Sequence, residues 1–292
     1  MGKEPRQRII WPLPPLEPKI EFVDVYPSAA GLFKKKQGFW DHIAGGGRRE
    51  VFARPFDVVA DGHGKIYISD VGSHSVKVLD LNEKTLKTFV RVKRPLGMTL
   101  GRDGRLYVVD GFSKRVMVIA PSGDVLAFIG GREELKNPSF VALNEELGRL
   151  YVSDTLGHRI AVFSMDGESL FTFGEPGNGP GQFAAPQGLA IDEGGRLWVA
   201  DFLNARIQIF DAQGRFLDTF GEQCIQYWCF ENPKDLDISK DGTVFITDHR
   251  KSLLLAYSPE QKLLFPTGSE SRTAHPLDFS TPAGIFIDKN GK

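Results

Sequence analysis

Short apolar runs of three to five residues, broken by polar turns, recur along this chain with a fixed internal order. Prolines stand at Pro55, Pro95, Pro138, Pro186, Pro233 and Pro282, spaced 40 to 49 residues apart. Fifteen or sixteen residues after each of the first five, an apolar run closes on an aspartate: Asp70, Asp110, Asp154, Asp201 and Asp248. Glycine-bearing turns such as Asp61-Gly62-His63-Gly64 and Lys240-Asp241-Gly242 lie between proline and aspartate, and glycine supplies the positive φ that a tight hairpin needs. A further β-rich run follows each aspartate (76–79, 116–119, 160–163, 207–210, 253–257). A second polar turn and a last short strand near 88–89, 128–130, 173–174, 220–221 and 264–265 complete the unit. The pattern predicts four antiparallel strands per unit. Helical spacing is absent from these runs, and the period suits a propeller, whose blades bury their faces only against one another.

The fourth unit carries a family resemblance. It reads Pro186-Gln187-Gly188-Leu189-Ala190-Ile191-Asp192, then Leu197-Trp198-Val199-Ala200-Asp201, then Asn204-Ala205-Arg206-Ile207-Gln208-Ile209-Phe210. This resembles the NHL-repeat family over about residues 55 to 288, and implies an all-β, six-bladed β-propeller of four-stranded antiparallel blades. The family arginine stands at Arg115, Arg159 and Arg206, but Ser75 and Leu253 replace it in the first and fifth units. Paired with the aspartates, these arginines are expected to order the loop between second and third strands. The sixth unit, from Pro282 to Asp288, supplies a first strand only, so the last blade is expected to be incomplete. Residues 19–26 alternate like a strand and are expected to close the ring. The missing strands come either from residues 27–54 or from natural sequence beyond Lys292. Residues 1–18, with Pro12, Pro14, Pro15 and Pro18, are expected to be extended, and 19–292 to form one domain. The opening Trp11-Pro12-Leu13-Pro14-Pro15 is similar to bacterial NHL-repeat lipoproteins, which implies an extracytoplasmic protein whose leader is absent from this chain.

Charge narrows the partners. Against 36 basic side chains stand 37 acidic ones, for a net of -1, so no global field attracts nucleic acid or anionic lipid. Lys34-Lys35-Lys36 and Arg48-Arg49 read as a solvated face, and no stretch is apolar enough to cross a membrane as a helix. Cys224 and Cys229 are the only cysteines, either paired across a loop or present as two buried thiols.

In such a ring, the loops after the second strands and the connectors between blades gather around the axis on one face. His74, His158 and His249 fall there, but at four, four and one residues from their aspartates. Exposed loop histidines therefore outweigh a metal site. Phe112, Phe202 and Leu203 beside Lys114, Arg250 and Lys251 suit a protein or glycan partner, with Asn204 between them; the alternative is that the aromatics plug the gaps between blades. Asp57 and Asp235 sit two residues after their prolines, where other units have Gly97, Phe140, Gly188 and Gly284, and face the channel as polar or calcium-binding groups. No Gly-x-Ser-x-Gly, His-Glu-x-x-His or phosphate-cradling run occurs. The expectation is a non-catalytic scaffold with no metal or cofactor, presenting His74, Phe112, Lys114, His158, Phe202, Asn204, His249 and Arg250. The resemblance implies two alternatives: a metal-dependent propeller lyase or lactonase-like hydrolase with channel ligands, and an RNA-binding module.

Overall fold

A computed structural model describes residues 10–11, 20–21, 51–221, 229–268 and 281–288. The repeat folds as five four-stranded antiparallel sheets arranged as blades. Blade one comprises Pro55–Ala60, Lys65–Asp70, Ser75–Asp80 and Thr85–Arg91. Blade four comprises Pro186–Ile191, Leu197–Asp201, Arg206–Phe210 and Phe216–Phe220. The inner strands of blades two, three and five are Pro95–Leu100, Pro138–Asn144 and Pro233–Ile238. Middle strands such as Leu106–Asp110 and Leu197–Asp201 are buried along their whole length, because both faces pack on neighbouring blades. Trp198, Ile207 and Ile209 of blade four share a cluster with Leu236, Ile246 and Leu255 of blade five. Tyr107, Val109 and Val118 of blade two likewise share one with Val141, Leu150 and Val152 of blade three. Each core is therefore a seam between blades, as expected of units too thin to fold alone.

The strand-end aspartates tie those seams. Asp70 accepts from the backbone N–H of Ala53 and Arg54 in the incoming connector and of Gly72 in its own turn. Asp154 takes Lys136 and Asn137, Asp201 takes Ala184, and Asp248 takes Glu231 and Asn232 in the same way. The expected arginine partners are formed in two blades: Arg159 Nε lies 3.1 Å from Asp154 and Arg206 Nε 2.9 Å from Asp201. Arg115 departs from this, stacking on Phe128 at 3.5 Å with its Nε unbonded. Lysines take the connector-pinning role where the arginine is replaced. Lys77 Nζ donates to Val51 O and Lys251 Nζ to Cys229 O, each at 2.7 Å.

The expected sixth blade is corrected: the described residues form five complete blades, and the sixth wedge holds one extended segment, residues 281–288. No described strand forms a ladder with this segment, and side chains of blade five hold it. Its Ile285 N–H donates to Asp235 at 2.9 Å, its Ile287 N–H to Asp237 at 2.7 Å, and Thr247 Oγ1 donates to Ala283 O at 3.0 Å. Of the expected closing segment 19–26, Ile20–Glu21 pairs antiparallel with Ile10–Trp11, and residues 19 and 22–26 lie outside the described residues. Residues 27–50 and Cys224 also lie outside them; Cys229 is disulfide-bonded. No helix of the described residues is long and apolar enough to cross a membrane.

The aspartate ties can be tested by substitution. Asp154→Ala strands two connector N–H groups and a half-buried guanidinium, and should lower unfolding free energy by roughly 2–4 kcal/mol. Asp103→Ala, which breaks an exposed hairpin pair with Arg105, should cost about 0–1 kcal/mol. Urea unfolding of both variants checks the contrast, and equal losses would refute it.

Candidate functional site

The inner strands meet at the axis, and the residues just after each proline decide what lies there. In blades one and five the register shifts between Pro55 and Asp57 and between Pro233 and Asp235, so Phe56 and Lys234 are bulged residues turned out of the ladder. The positions two after each proline alternate large and small around the ring: Asp57, Gly97, Phe140, Gly188, Asp235, Gly284. A Cβ on Gly188 would sit 2.5 Å from the Asp235 Cα, and one on Gly284 would sit 2.6 Å from the Asp57 Cα. Glycine there lets each inner strand close on the next and presses both aspartates into the centre.

Two layers result. In the outer layer, the rings of Phe56 and Phe140, from blades one and three, meet across the axis at 5.4 Å. Lys234 Nζ stands 5.2 Å from Phe56, 5.4 Å from Phe202 and 5.7 Å from Phe140, and donates to Gln187 Oε1 at 2.9 Å. Burial pushes this amine down to about 8, with Asp235 opposing the shift and Arg94 adding to it. In the inner layer, Asp57 accepts from Val58 N–H at 2.8 Å and from Met98 N–H of the next blade at 2.7 Å. Burial raises its carboxyl from the ordinary 3.8 to about 7 in spite of those two bonds. Asp235 is raised well above the carboxylate range, first by burial and then by the charge of Asp57. The two carboxyls line a cavity of about 160 Å³ with Met98, Phe140, Ala190 and Ile285. Through Leu143, Ile191 and Ile238 it joins a bowl of about 480 Å³ on the hairpin-turn face, walled by Arg102, Asn144, Glu145, Asp192 and Lys240.

The structure sorts the residues singled out from sequence. His74, Lys114 and His158 each occupy the left-handed position four after their aspartate, with φ of 51°, 56° and 53°. Their role is turn geometry; histidine tolerates that conformation better than branched residues do. His74 Nδ1 lies 2.6 Å from Lys93 O, and His158 Nδ1 accepts from Ala185 N–H. Asn204 donates to Gly177 O and Asp201, and Arg250 pairs with Glu231 at 2.8 Å. Phe112 is exposed under Lys93. Phe202 and His249 are brought together, their rings 6.5 Å apart, beside Lys234. Sequence reasoning placed Asp57 and Asp235 at the axis correctly but missed Lys234 and Phe56. The signal was available: both follow a blade-opening proline directly.

The metal implied by the propeller enzymes does not fit the donors described. One Asp57 oxygen takes Val58 N–H and the other Met98 N–H, one Asp235 oxygen takes Ile285 N–H, and an ammonium stands in the adjacent layer. Among the described residues no three His, Cys, Asp or Glu side chains are grouped to hold a metal ion.

Fold and site together define a β-propeller whose axis buries two carboxyls under a caged amine. The sequence profile of the SMP-30/Gluconolactonase/LRE-like region matches residues 32–239, and the chain belongs to that family. A probable peptidyl-alpha-hydroxyglycine alpha-amidating lyase of Caenorhabditis elegans is 25% identical over 132 residues, covering 39% of this chain and 38% of that one. The chain thus matches little more than a third of that relative's length. A streptogramin B lyase structure superposes with a TM-score of 0.63 at 16% identity, over 84% of this chain and 78% of that one. A Xanthomonas campestris gluconolactonase superposes with a TM-score of 0.64 at 12% identity, over 82% of each chain. These two likenesses concern the fold. The expectation of a non-catalytic scaffold is corrected: the family and the relative are named for lactonase and lyase activities, which fit the enzymatic alternative. The NHL resemblance stands as one to a related kind of propeller.

The raised Asp57 carboxyl makes stability depend on pH. Between about 3.8 and about 7 the native state keeps a proton that the unfolded chain has lost, so this group's contribution falls as pH rises through that window. Asp57→Asn cannot ionise, but its amide nitrogen cannot accept one of the two backbone N–H groups that Asp57 holds, so it should cost roughly 1–3 kcal/mol at pH 4 and flatten that slope, with the deficit against the parent shrinking or reversing by pH 8. Denaturant unfolding across pH 4–8 measures it; a parallel slope in both proteins would refute it.

Proposed function

We propose that this chain is an enzyme of the lyase or lactone-hydrolase kind whose proton-transfer groups are Asp57 and Asp235 at the propeller axis. The observation that carries the reading is the buried carboxyl pair itself. Two like groups held in one dry site cannot both ionise easily, so one keeps a proton near neutral pH while the other is available to take one. That is the equipment for removing a proton beside a carbonyl or for activating water on a lactone and protonating the leaving oxygen. Strongly shifted ionisable groups gathered in a cavity are a mark of such sites. The glycine alternation holds both aspartates rigidly, which favours positioning over adaptability.

An extracytoplasmic location is part of the same proposal. The disulfide at Cys229 suits an oxidising compartment, in line with the likeness of the opening Trp11-Pro12-Leu13-Pro14-Pro15 to exported proteins.

The test offers purified protein gluconolactone, peptidyl-alpha-hydroxyglycine and streptogramin B in turn. Turnover of one of them should carry an ionisation near pH 7, and Asp57→Asn and Asp235→Asn should each slow it by about 10²–10⁴-fold with the fold intact by circular dichroism. Turnover unaffected by either substitution would overturn the assignment.

A further inference from the structure

We propose that the outer mouth of the axis is an anion site, built to take a carboxylate on a flat apolar body, with Lys234 as its charge partner and Phe56, Phe140 and Phe202 as its walls. It deepens the enzymatic reading by naming the substrate class, and rests on that reading only for the ligand's being a substrate.

An ammonium has three donors to satisfy. Among the described residues Lys234 makes one hydrogen bond, to the neutral Gln187 amide oxygen, and no ion pair. The nearest carboxyl, Asp235, is turned the other way, receiving Ile285 N–H in the inner layer. The three rings give the amine cation–π contact but no hydrogen bonds. Lys234 and the rings of Phe56 and Phe202 remain partly exposed. Two further groups converge there. His249 lies against Phe202 with its Nδ1 buried and without a hydrogen-bond partner, and Arg94 is near enough to depress the Lys234 amine. A mouth with two cations, an unsatisfied imidazole nitrogen and three aromatic rings lacks one thing, a negative charge on a body that can stack.

Stability alone does not account for the lysine. Burying an amine costs free energy, and the bond to Gln187 and the three ring contacts offset that cost without supplying a counter-charge. An ammonium held this way keeps donors for an arriving anion.

The probe is phenylacetate, with phenylacetamide as its uncharged isostere, titrated at pH 7 into the full chain by calorimetry. Phenylacetate should saturate, and phenylacetamide should bind at least tenfold more weakly. Lys234→Met should keep its fold by circular dichroism and lose at least tenfold in phenylacetate affinity, erasing the preference. In a second measurement on the unmodified protein, phenylacetate but not phenylacetamide should shield Lys234 from acylation at pH 8, read by peptide mass spectrometry. Equal binding of the two probes, no saturation by either, unchanged affinity in Lys234→Met, or acylation unaffected by phenylacetate would each overturn the site. Binding without turnover of any substrate tested would leave this site standing and remove the proposed function. Turnover with no effect of probe or substitution would do the reverse.

Discussion

Everything in this molecule depends on buried carboxylates accepting backbone N–H groups across a seam. A four-stranded blade has no core of its own, so the ring holds only if each connector is fixed to the turn of the blade that it enters. Asp70, Asp154, Asp201 and Asp248 do this from strand ends that are fully buried, where the two oxygens can serve two segments at once. Surface pairs such as Arg105 with Asp103 lie in water and fix little. The cations that finish the job vary in kind and place, Arg159 and Arg206 in two blades and Lys77 and Lys251 in two others. Those four blades share a positive donor on the connector carbonyls, whereas in blade two Arg115 stacks on Phe128.

The same bond, moved from the rim to the axis, becomes something different. Asp57 and Asp235 also accept N–H groups from the next wedge, and Asp237 joins Asp235 in pinning the 281–288 segment. There, however, the glycine alternation forces two carboxyls into one small cavity, and burial outweighs the N–H bonds that would keep them ionised. The side chains proposed for proton chemistry thus also tie neighbouring wedges together. The described segment of the sixth wedge brings Gly284 and Ile285 directly against them, so it borders the candidate site.

How much could be read beforehand follows from the range of the interactions involved. The proline spacing, the turn glycines and the aspartates that close apolar runs are local signals, and they yielded the strands, the blade boundaries and the placement of Asp57 and Asp235. The loop histidines misled because a residue four after an aspartate at a turn is required first of all to adopt a left-handed backbone. His74, Lys114 and His158 serve that need whatever their side chains offer elsewhere. Phe202 and His249 were singled out from sequence, but their neighbour Lys234 was not, since its surroundings are rings from blades one, three and four.

By itself the amino-acid sequence determined an all-β ring of repeated hairpins and the loops that gather at its axis, because strand alternation, turn chemistry and repeat length are properties of neighbours along the chain. Only the tertiary structure decided that five blades are complete among the described residues, that residues 281–288 are tethered by side chains of blade five, and that an amine and two carboxyls share the centre. Those outcomes depend on contacts between residues some 40 to 230 positions apart, such as Gly188 with Asp235 and Asp57 with Gly284, and on how far burial shifts a charge, which no stretch of chain carries alone.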